Sequence, residues 1–163
     1  KREDSRGFFA RYFCKEEYAN LNLETNWVQM NTTLSKEKGT LRGMHFQKDP
    51  KAEVKVVRCL RGAIWDVIVD LRPNSESFGM WYGVELNSEN RRMLYVPKGF
   101  AHGFQTLAPD TELFYLHSEF YSPEYEAGLL YKDPDLAIAW PLPISEVSTR
   151  DLEHPNLKNL KLL

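Results

Sequence analysis

The amino-acid sequence predicts an all-β domain built as an antiparallel sandwich or barrel. Short runs rich in β-branched residues follow one another from about residue 28 onward, and the breaks between them carry the Pro, Gly, Asn and Asp that are typical of turns. Few helical windows separate these runs, whereas an α/β sheet needs a helix after almost every strand. With 163 residues, the chain has the length of one domain, 1–163.

The predicted elements change in character along the chain. An extended apolar segment is predicted over 8–13 and a short helix over 15–21. The predicted strands that follow cover 54–60, 63–71, 80–86, 92–96, 102–107 and 112–121. Proline-rich connectors then lead to a short closing helix predicted over 155–163, where apolar residues recur near helical spacing.

Charge and composition exclude several classes of protein. The 21 Lys and Arg against 23 Asp and Glu give a net charge of −2, which argues against nucleic-acid binding through a general positive field. No run approaches the roughly 20 apolar residues of a membrane span. Cys14 and Cys59 lack metal-binding spacing and are too few for a disulfide scaffold, so a cytoplasmic location is expected. The chain begins at Lys1 and not at Met, and we expect the native N-terminus to lie upstream.

Two of the four histidines stand in segments that indicate chemistry. His45 lies shortly after Gly43, and His102 follows a tight Pro97-x-Gly99 turn. A histidine behind such a turn, at the start of a strand, is expected to point into one end of a barrel. The alternative for each is a core histidine bonded to a backbone carbonyl.

The spacing of Pro97, Gly99 and His102 resembles the second motif of the cupin barrels, many of which bind a metal. In those proteins a His-x-His pair and a Glu complete the ligand set. Here Gln47 follows His45 at that spacing, and no carboxylate comes before Glu53. Because a neutral amide is a poor ligand for a transition metal, we predict no metal and expect the histidines to move protons.

Proton transfer at carbon needs a base, a carboxylate that orients it, a cation for the developing oxyanion and an acid on the opposite face. Lys55 and Asp66 each interrupt an apolar strand, where a charge is costly unless it is paired or functional. The alternative for Lys55 is a side chain that extends to solvent at a sheet edge, and for Tyr115 it is core packing.

Six segments, in order along the chain, resemble the dTDP-4-dehydrorhamnose 3,5-epimerases. They are 4–9, 41–47, 67–72, 95–104, 120–124 and 138–141. The resemblance implies a jelly-roll, cupin-type barrel (a double-stranded β-helix) with a few short peripheral helices. It also implies a homodimer without metal or organic cofactor, whose substrate is a nucleotide-diphosphate 4-keto-6-deoxyhexose. The product is expected to supply rhamnose for surface polysaccharide.

The resemblance assigns four catalytic roles. The C4 ketone acidifies the protons on C3 and C5, and His45 would remove them. Asp151 would orient His45, Lys55 would stabilise the enolate oxygen, and Tyr115 would return a proton from the opposite face. The substrate-binding residues that it implies are Arg6, Arg42, Gln29, Asn31, Asp66, His102 and Glu126. Among these, the two arginines would grip the diphosphate and sugar, and Asp66 with His102 would form a second carboxylate–histidine pair.

One departure from the family pattern leaves the substrate open. Arg11 stands where family members usually carry a Glu that can accept a hydrogen bond from thymine N3–H, which suggests a different base such as cytosine or an arginine that points away. The residues also suit an enzyme that epimerises only C3 or only C5. Two further alternatives are a 3,4-ketoisomerase, which needs no acid on the opposite face, and a barrel that binds sugar nucleotides without catalysis.

Overall fold

A computed structural model describes residues 1–161 and shows a mostly β architecture. The strands are β1 (Arg2–Asp4), β2 (Gly7–Phe9), β3 (Gln29–Ser35), β4 (Leu41–Gln47), β5 (Lys55–Arg61), β6 (Ala63–Asp70), β7 (Trp81–Asn87), β8 (Met93–Val96), β9 (Phe100–Thr106), β10 (Thr111–His117) and β11 (Glu126–Gly128). The helices are α1 (Lys15–Asn20) and α2 (Thr149–Leu152), and a 3₁₀ turn covers Leu157–Asn159.

Two antiparallel sheets form the body of the protein. One has the strand order β3-β10-β5-β8 and the other β11-β4-β9-β6-β7, while β1 and β2 pair separately as a hairpin. The named strands pair antiparallel throughout. The predicted antiparallel all-β architecture is therefore confirmed, and the two sheets do not close into one.

The sheets enclose an apolar cluster, and a second cluster covers the outer face of the five-stranded sheet. Val57, Ile64, Phe104 and Leu113 belong to the inner cluster. The outer one includes Met44 and is covered by side chains from the segment 129–157, which we call the strap. Strand β6 lies between the two clusters and is buried on both faces, which explains its nearly continuous run of β-branched residues.

Backbone hydrogen bonds attach the strap to the edge of β4. Leu41 N–H donates to the carbonyl of Glu146 at 2.8 Å, and Met44 and Leu129 exchange bonds of 3.3 and 3.0 Å. Further along, the N–H of Leu157 donates to an Asp133 carboxylate oxygen at 2.6 Å. These bonds hold the strap across the outer face and bring α2 beside β4.

Three sequence predictions need correction. The closing helix predicted over 155–163 is wrong within the described residues, where only the 3₁₀ turn forms; Leu157 and Leu160 instead pack on the outer cluster. Residues 162–163 lie outside the described residues. The strand predicted over 112–121 ends at His117, and the extended segment 8–13 is a strand only as far as Phe9. Over the described residues, we find no helix of the length and apolar character that crossing a membrane requires.

Candidate active site

A cavity of about 530 Å³ opens between the two sheets. The five-stranded sheet contributes His45 and His102, and the four-stranded sheet contributes Lys55, Tyr115 and His117. A second cavity of about 280 Å³ shares the walls formed by His45, Lys55 and His117 and extends toward β11. Both predicted histidines therefore face one cavity, together with the predicted lysine and tyrosine.

A local irregularity in β4 places His45 beside His102. The two histidines are cross-strand partners of β4 and β9, and the register shifts between Arg42 and His45. Gly43 has φ +117°, and a Cβ there would lie 2.6 Å from the Cα of Gly103. Only glycine fits this close approach of the two backbones, and the irregularity turns the Gly43 N–H out of the sheet ladder.

His45 is hydrogen-bonded to a buried carboxylate. Its Nε2 lies 2.7 Å from Oδ1 of Asp151, whose side chain is only 2% exposed, and the Gly43 N–H donates to Oδ2 at 3.0 Å. Burial alone raises the pKa of Asp151, but the hydrogen bonds from His45 and Gly43 outweigh it and lower that pKa to about 2. The ionised carboxylate can only accept, so in the neutral ring of His45 the proton is on Nε2, which also lies 3.2 Å from a guanidinium nitrogen of Arg150, and the lone pair is on Nδ1.

Asp151 reaches His45 on the short helix α2, which the sequence analysis did not predict. The hydroxyl of Ser148 accepts from the N–H of Asp151 at 3.1 Å and caps the helix. A Ser followed three residues later by an acidic residue is the signal in the sequence for such a start. That signal locates a helix but not its partner, because His45 lies 106 residues away.

His102 forms a second pair with a carboxylate. Its Nε2 lies 2.6 Å from Oδ1 of Asp66, a fully buried residue on the neighbouring strand β6. Cross-strand pairing places His102 opposite Ile68, so Asp66 is its diagonal neighbour on the same face. Burial raises the pKa of Asp66 more than His102 lowers it, and Oδ2 has no hydrogen-bond partner among the described residues.

Lys55 and Tyr115 face the cavity from the other sheet. The Lys55 side chain is 13% exposed, and its Nζ lies 3.1 Å from Oε1 of Glu53, so it does not extend to solvent at an edge. The Tyr115 hydroxyl lies 3.5 Å from that of Thr33, and burial raises the pKa of Tyr115 well above its usual value. Tyr115 is therefore a protonated donor on the wall formed by β10.

Of the other five predicted substrate-binding residues, four border the two cavities and one does not. Arg42 and Asn31 line the larger cavity, while Gln29 and Glu126 line the smaller one, which Asn31 also borders. Arg6 lines neither cavity in the described chain; it lies on the exposed β1–β2 hairpin, 2.6 Å from Asp4.

Arg11, the departure from the family pattern, lies apart from the predicted site. It pairs with Glu17 at 2.5 Å and borders neither cavity in the described residues.

Gln47, at the position of a cupin ligand, is a structural residue here. Its amide donates to the carbonyls of Lys51 and Phe120 and accepts from the N–H of Ser122, so it fixes two loops. Its side-chain amide is therefore already engaged with the backbone.

Another group of possible metal donors is His45, Asp151 and His154, whose ligand atoms lie within 4.8 Å of one another. In a tetrahedral zinc site with ligands about 2.1 Å from the metal, two donors are about 3.4 Å apart. The 2.7 Å between His45 and Asp151 is instead a hydrogen-bond length.

A third carboxylate–imidazole pair, which the sequence analysis did not identify, lines the same walls. Nδ1 of His117 lies 2.7 Å from Oε2 of Glu53, and the His117 ring stacks on Tyr115 with centroids 5.9 Å apart. The signal for His117 was its position two residues after Tyr115, which places both side chains on one face of β10.

Comparison with known proteins identifies the family. The family model described as dTDP-4-dehydrorhamnose 3,5-epimerase matches residues 1–159. A relative of that name from Methanothermobacter thermautotrophicus is 46% identical over 139 residues, which are 85% of this chain and 74% of the relative.

Two solved structures extend the similarity to the fold. The Bacillus anthracis dTDP-4-dehydrorhamnose 3,5-epimerase with TDP and PPi bound is 46% identical, with a TM-score of 0.91 over 95% of this chain and 89% of that one. A 3'-monoepimerase from Streptomyces bikiniensis in complex with dTDP-quinovose is 35% identical, with a TM-score of 0.90 over 96% and 80%. The predicted jelly-roll, cupin-type fold is confirmed by these neighbours. The chain belongs to the dTDP-4-dehydrorhamnose 3,5-epimerase family and is thus an isomerase-class enzyme.

Proposed function

We propose that this protein inverts C3 and C5 of dTDP-4-dehydro-6-deoxy-D-glucose to give dTDP-4-dehydro-L-rhamnose. The observation that carries the proposal is that His45, the proposed base, and Tyr115, the proposed acid, line one cavity from opposite sheets. His45 with its carboxylate comes from the five-stranded sheet, and protonated Tyr115 comes from the four-stranded sheet. Inversion at carbon requires that a proton leave one face and return to the other.

The proposed step uses only side chains of this cavity. Nδ1 of His45 takes the proton from the carbon next to the ketone, and the electron pair of that C–H bond moves to form the enolate. The ammonium of Lys55 stabilises the enolate oxygen, and Asp151 stabilises the imidazolium. Tyr115 then gives its proton to the opposite face, and its phenolate regains one from water while the His45 imidazolium releases the abstracted proton to water.

The nucleotide and the assembly are also proposed. The dTDP group is supported by the TDP and the dTDP sugar in the two related structures and by Arg11, which is paired away from the cavities.

A homodimer is supported by the β1–β2 hairpin, whose residues are all exposed, with Phe9 73% exposed. An isolated two-stranded hairpin is marginally stable, so a second copy would cover it and could bring Arg6 to a cavity. Cys14 and Cys59 are free, as a cytoplasmic location would require.

Proton NMR in D₂O tests the reaction. With dTDP-4-keto-6-deoxyglucose, the signals of both the C3 and C5 protons should disappear, and the His45→Asn variant should leave both in place. Exchange at C3 alone would instead indicate a 3-epimerase, the candidate that the related monoepimerase structure favours. Exchange only with the CDP-linked sugar would overturn the proposed nucleotide, and the absence of exchange with either sugar would overturn the epimerase proposal.

A further inference from the structure

Three imidazoles line the cavities, and each is backed by a carboxylate. The pairs of His45 with Asp151 and of His102 with Asp66 are part of the predicted site. The third pair, His117 with Glu53, has no role in the reaction proposed above. It is as well built as the others, since its side chains are only 12% and 9% exposed and its hydrogen bond measures 2.7 Å.

Hydrogen-bond polarity fixes which nitrogen of a neutral His117 ring carries the proton. Burial raises the pKa of Glu53, but the contacts of this carboxylate with His117 and Lys55 outweigh burial and lower that pKa, so the carboxylate is ionised and only accepts. Nδ1 of His117 therefore donates to it. The amide nitrogen of Asn31 lies 3.2 Å from Nε2, which accepts from it when the ring is neutral. The neutral ring is thus satisfied at both nitrogens.

Glu53 is shared between His117 and Lys55, and this sharing links their charges. One carboxylate oxygen lies 2.7 Å from His117 Nδ1, and the other lies 3.1 Å from Lys55 Nζ. With His117 neutral, the charges of Glu53 and Lys55 cancel, and the group presents no net charge to the cavities. With His117 protonated, the three side chains of Glu53, Lys55 and His117 together carry +1.

We propose that Glu53 and His117 are a positioning pair that acts through Lys55, and that His117 takes up a proton when an anionic oxygen of the ligand reaches Lys55. The proton comes from water and binds at Nε2, and the Asn31 amide turns so that its oxygen accepts the new N–H. His117 is hydrogen-bonded to Glu53 and Asn31 and stacks on Tyr115, and Lys55 shares Glu53 with it. The other titratable side chains of the smaller cavity that His117 lines are His45, Tyr121 and Glu126.

The inference rests on the proposed function only for the class of ligand, a nucleoside diphosphate sugar. Its anionic oxygen has two possible sources, the diphosphate or the enolate formed during turnover. dTDP carries the first without the second, and thymidine carries neither. Isothermal titration calorimetry counts the protons taken up on binding when it is repeated in buffers of different ionisation enthalpy. The titration is done at about pH 7.5, which is above the ordinary pKa of histidine.

The variants are His117→Asn, which keeps an N–H donor for Glu53 but cannot take up a proton, and His154→Asn, which lines neither of the two cavities. Because His154 lies 3.5 Å from Asp151, this second variant is a control for proton uptake only and not for turnover. If the diphosphate is the source, wild-type protein and the control take up as much as one proton with dTDP and none with thymidine, and His117→Asn loses this uptake. Imidazole ¹⁵N shifts of His117 should move to those of the imidazolium in the same titration. His117→Gln serves as a second variant if His117→Asn is unstable.

If the enolate is the source, dTDP binding takes up no proton. In that case kcat of the wild type falls at alkaline pH, whereas the kcat–pH profile of His117→Asn lacks this alkaline fall and its KM stays similar. If His117→Asn leaves both the proton uptake on dTDP binding and the kcat–pH profile unchanged, the inference is overturned, whatever the turnover rate. Uptake that depends on His117 without exchange at C3 or C5 would overturn the proposed function and support the inference. If dTDP does not bind and no turnover occurs, both are overturned.

Discussion

Replacement of Asp151 by Asn tests the proposed base most directly. The Asn oxygen can still accept from the Gly43 N–H, which leaves the NH₂ group against His45 Nε2. An NH₂ group can only donate, so Nε2 must accept and the ring proton moves to Nδ1, the atom that should remove the substrate proton. In a serine protease the equivalent change lowers kcat about 10⁴-fold, and we expect a loss of about 10³- to 10⁴-fold here.

The cost to stability follows from the same contacts. A pKa lowered from 3.8 to about 2 corresponds to about 2 kcal/mol in favour of the buried carboxylate. Loss of most of this energy should lower the Tm by about 4–8 °C for a chain of this size. The protein should therefore stay folded at room temperature, so that lost activity reports the base and not unfolding.

The assay is solvent deuterium exchange at C3 and C5, with ¹⁵N shifts of His45 to read its tautomer. Ser148→Ala is the matched control, because it removes the cap of α2 and keeps the carboxylate; we expect it to lose about 1 kcal/mol of stability and much less activity. If Asp151→Asn exchanges protons within tenfold of the wild-type rate, the tautomer argument is wrong.

Three further predictions concern the acid, the fold and pH. Tyr115→Phe should lower epimerised product about 10²- to 10⁴-fold while exchange on the His45 face continues, and full activity would favour the 3,4-ketoisomerase. Gly103→Ala places a Cβ 2.6 Å from Met44 Sδ and 2.8 Å from the Arg42 carbonyl, so thermal melts should show a loss of about 1–3 kcal/mol, whereas an unchanged Tm would contradict the close approach. Because folding lowers the pKa of Asp151, the contribution of this carboxylate to the free energy of unfolding is complete above about pH 4 and is lost as pH falls toward about 2. The difference in free energy of unfolding between wild type and Asp151→Asn should therefore narrow over that range. A difference that stays constant would refute this prediction.

The parts of the fold that the sequence predicted are those with local signals. Runs of β-branched residues and turn residues locate the strands, and Gly43, shortly before His45, marks the close approach to the Gly103 backbone beside His102. The closing helix failed because helical spacing of leucines also arises when an irregular segment packs on a sheet, as Leu157 and Leu160 do.

The carboxylate partners could not be predicted from the residues alone. Asp151 was identified only through the family resemblance, since a capped acidic residue in a polar stretch is common on surfaces. Glu53 and His117 are separated by 64 residues and meet because β5 pairs with β10 in one particular register. Such a register depends on packing of the whole sheet, which a single sequence does not display.

The last part of the strap, residues 141–157, should limit the proposed chemistry at a lower temperature than the sheets. Among these residues only Asp151 is buried, and the backbone bond to β4 is that of Leu41 with Glu146, whereas β6 is paired along nearly its whole length on both sides. Segments with few such bonds open locally at a lower free energy than the body of a domain. Opening of residues 141–157 would withdraw Asp151 from His45 while both sheets and the outer cluster remain in place. Heating should therefore abolish turnover, reversibly, several degrees below the temperature at which the β-sheet circular dichroism signal is lost.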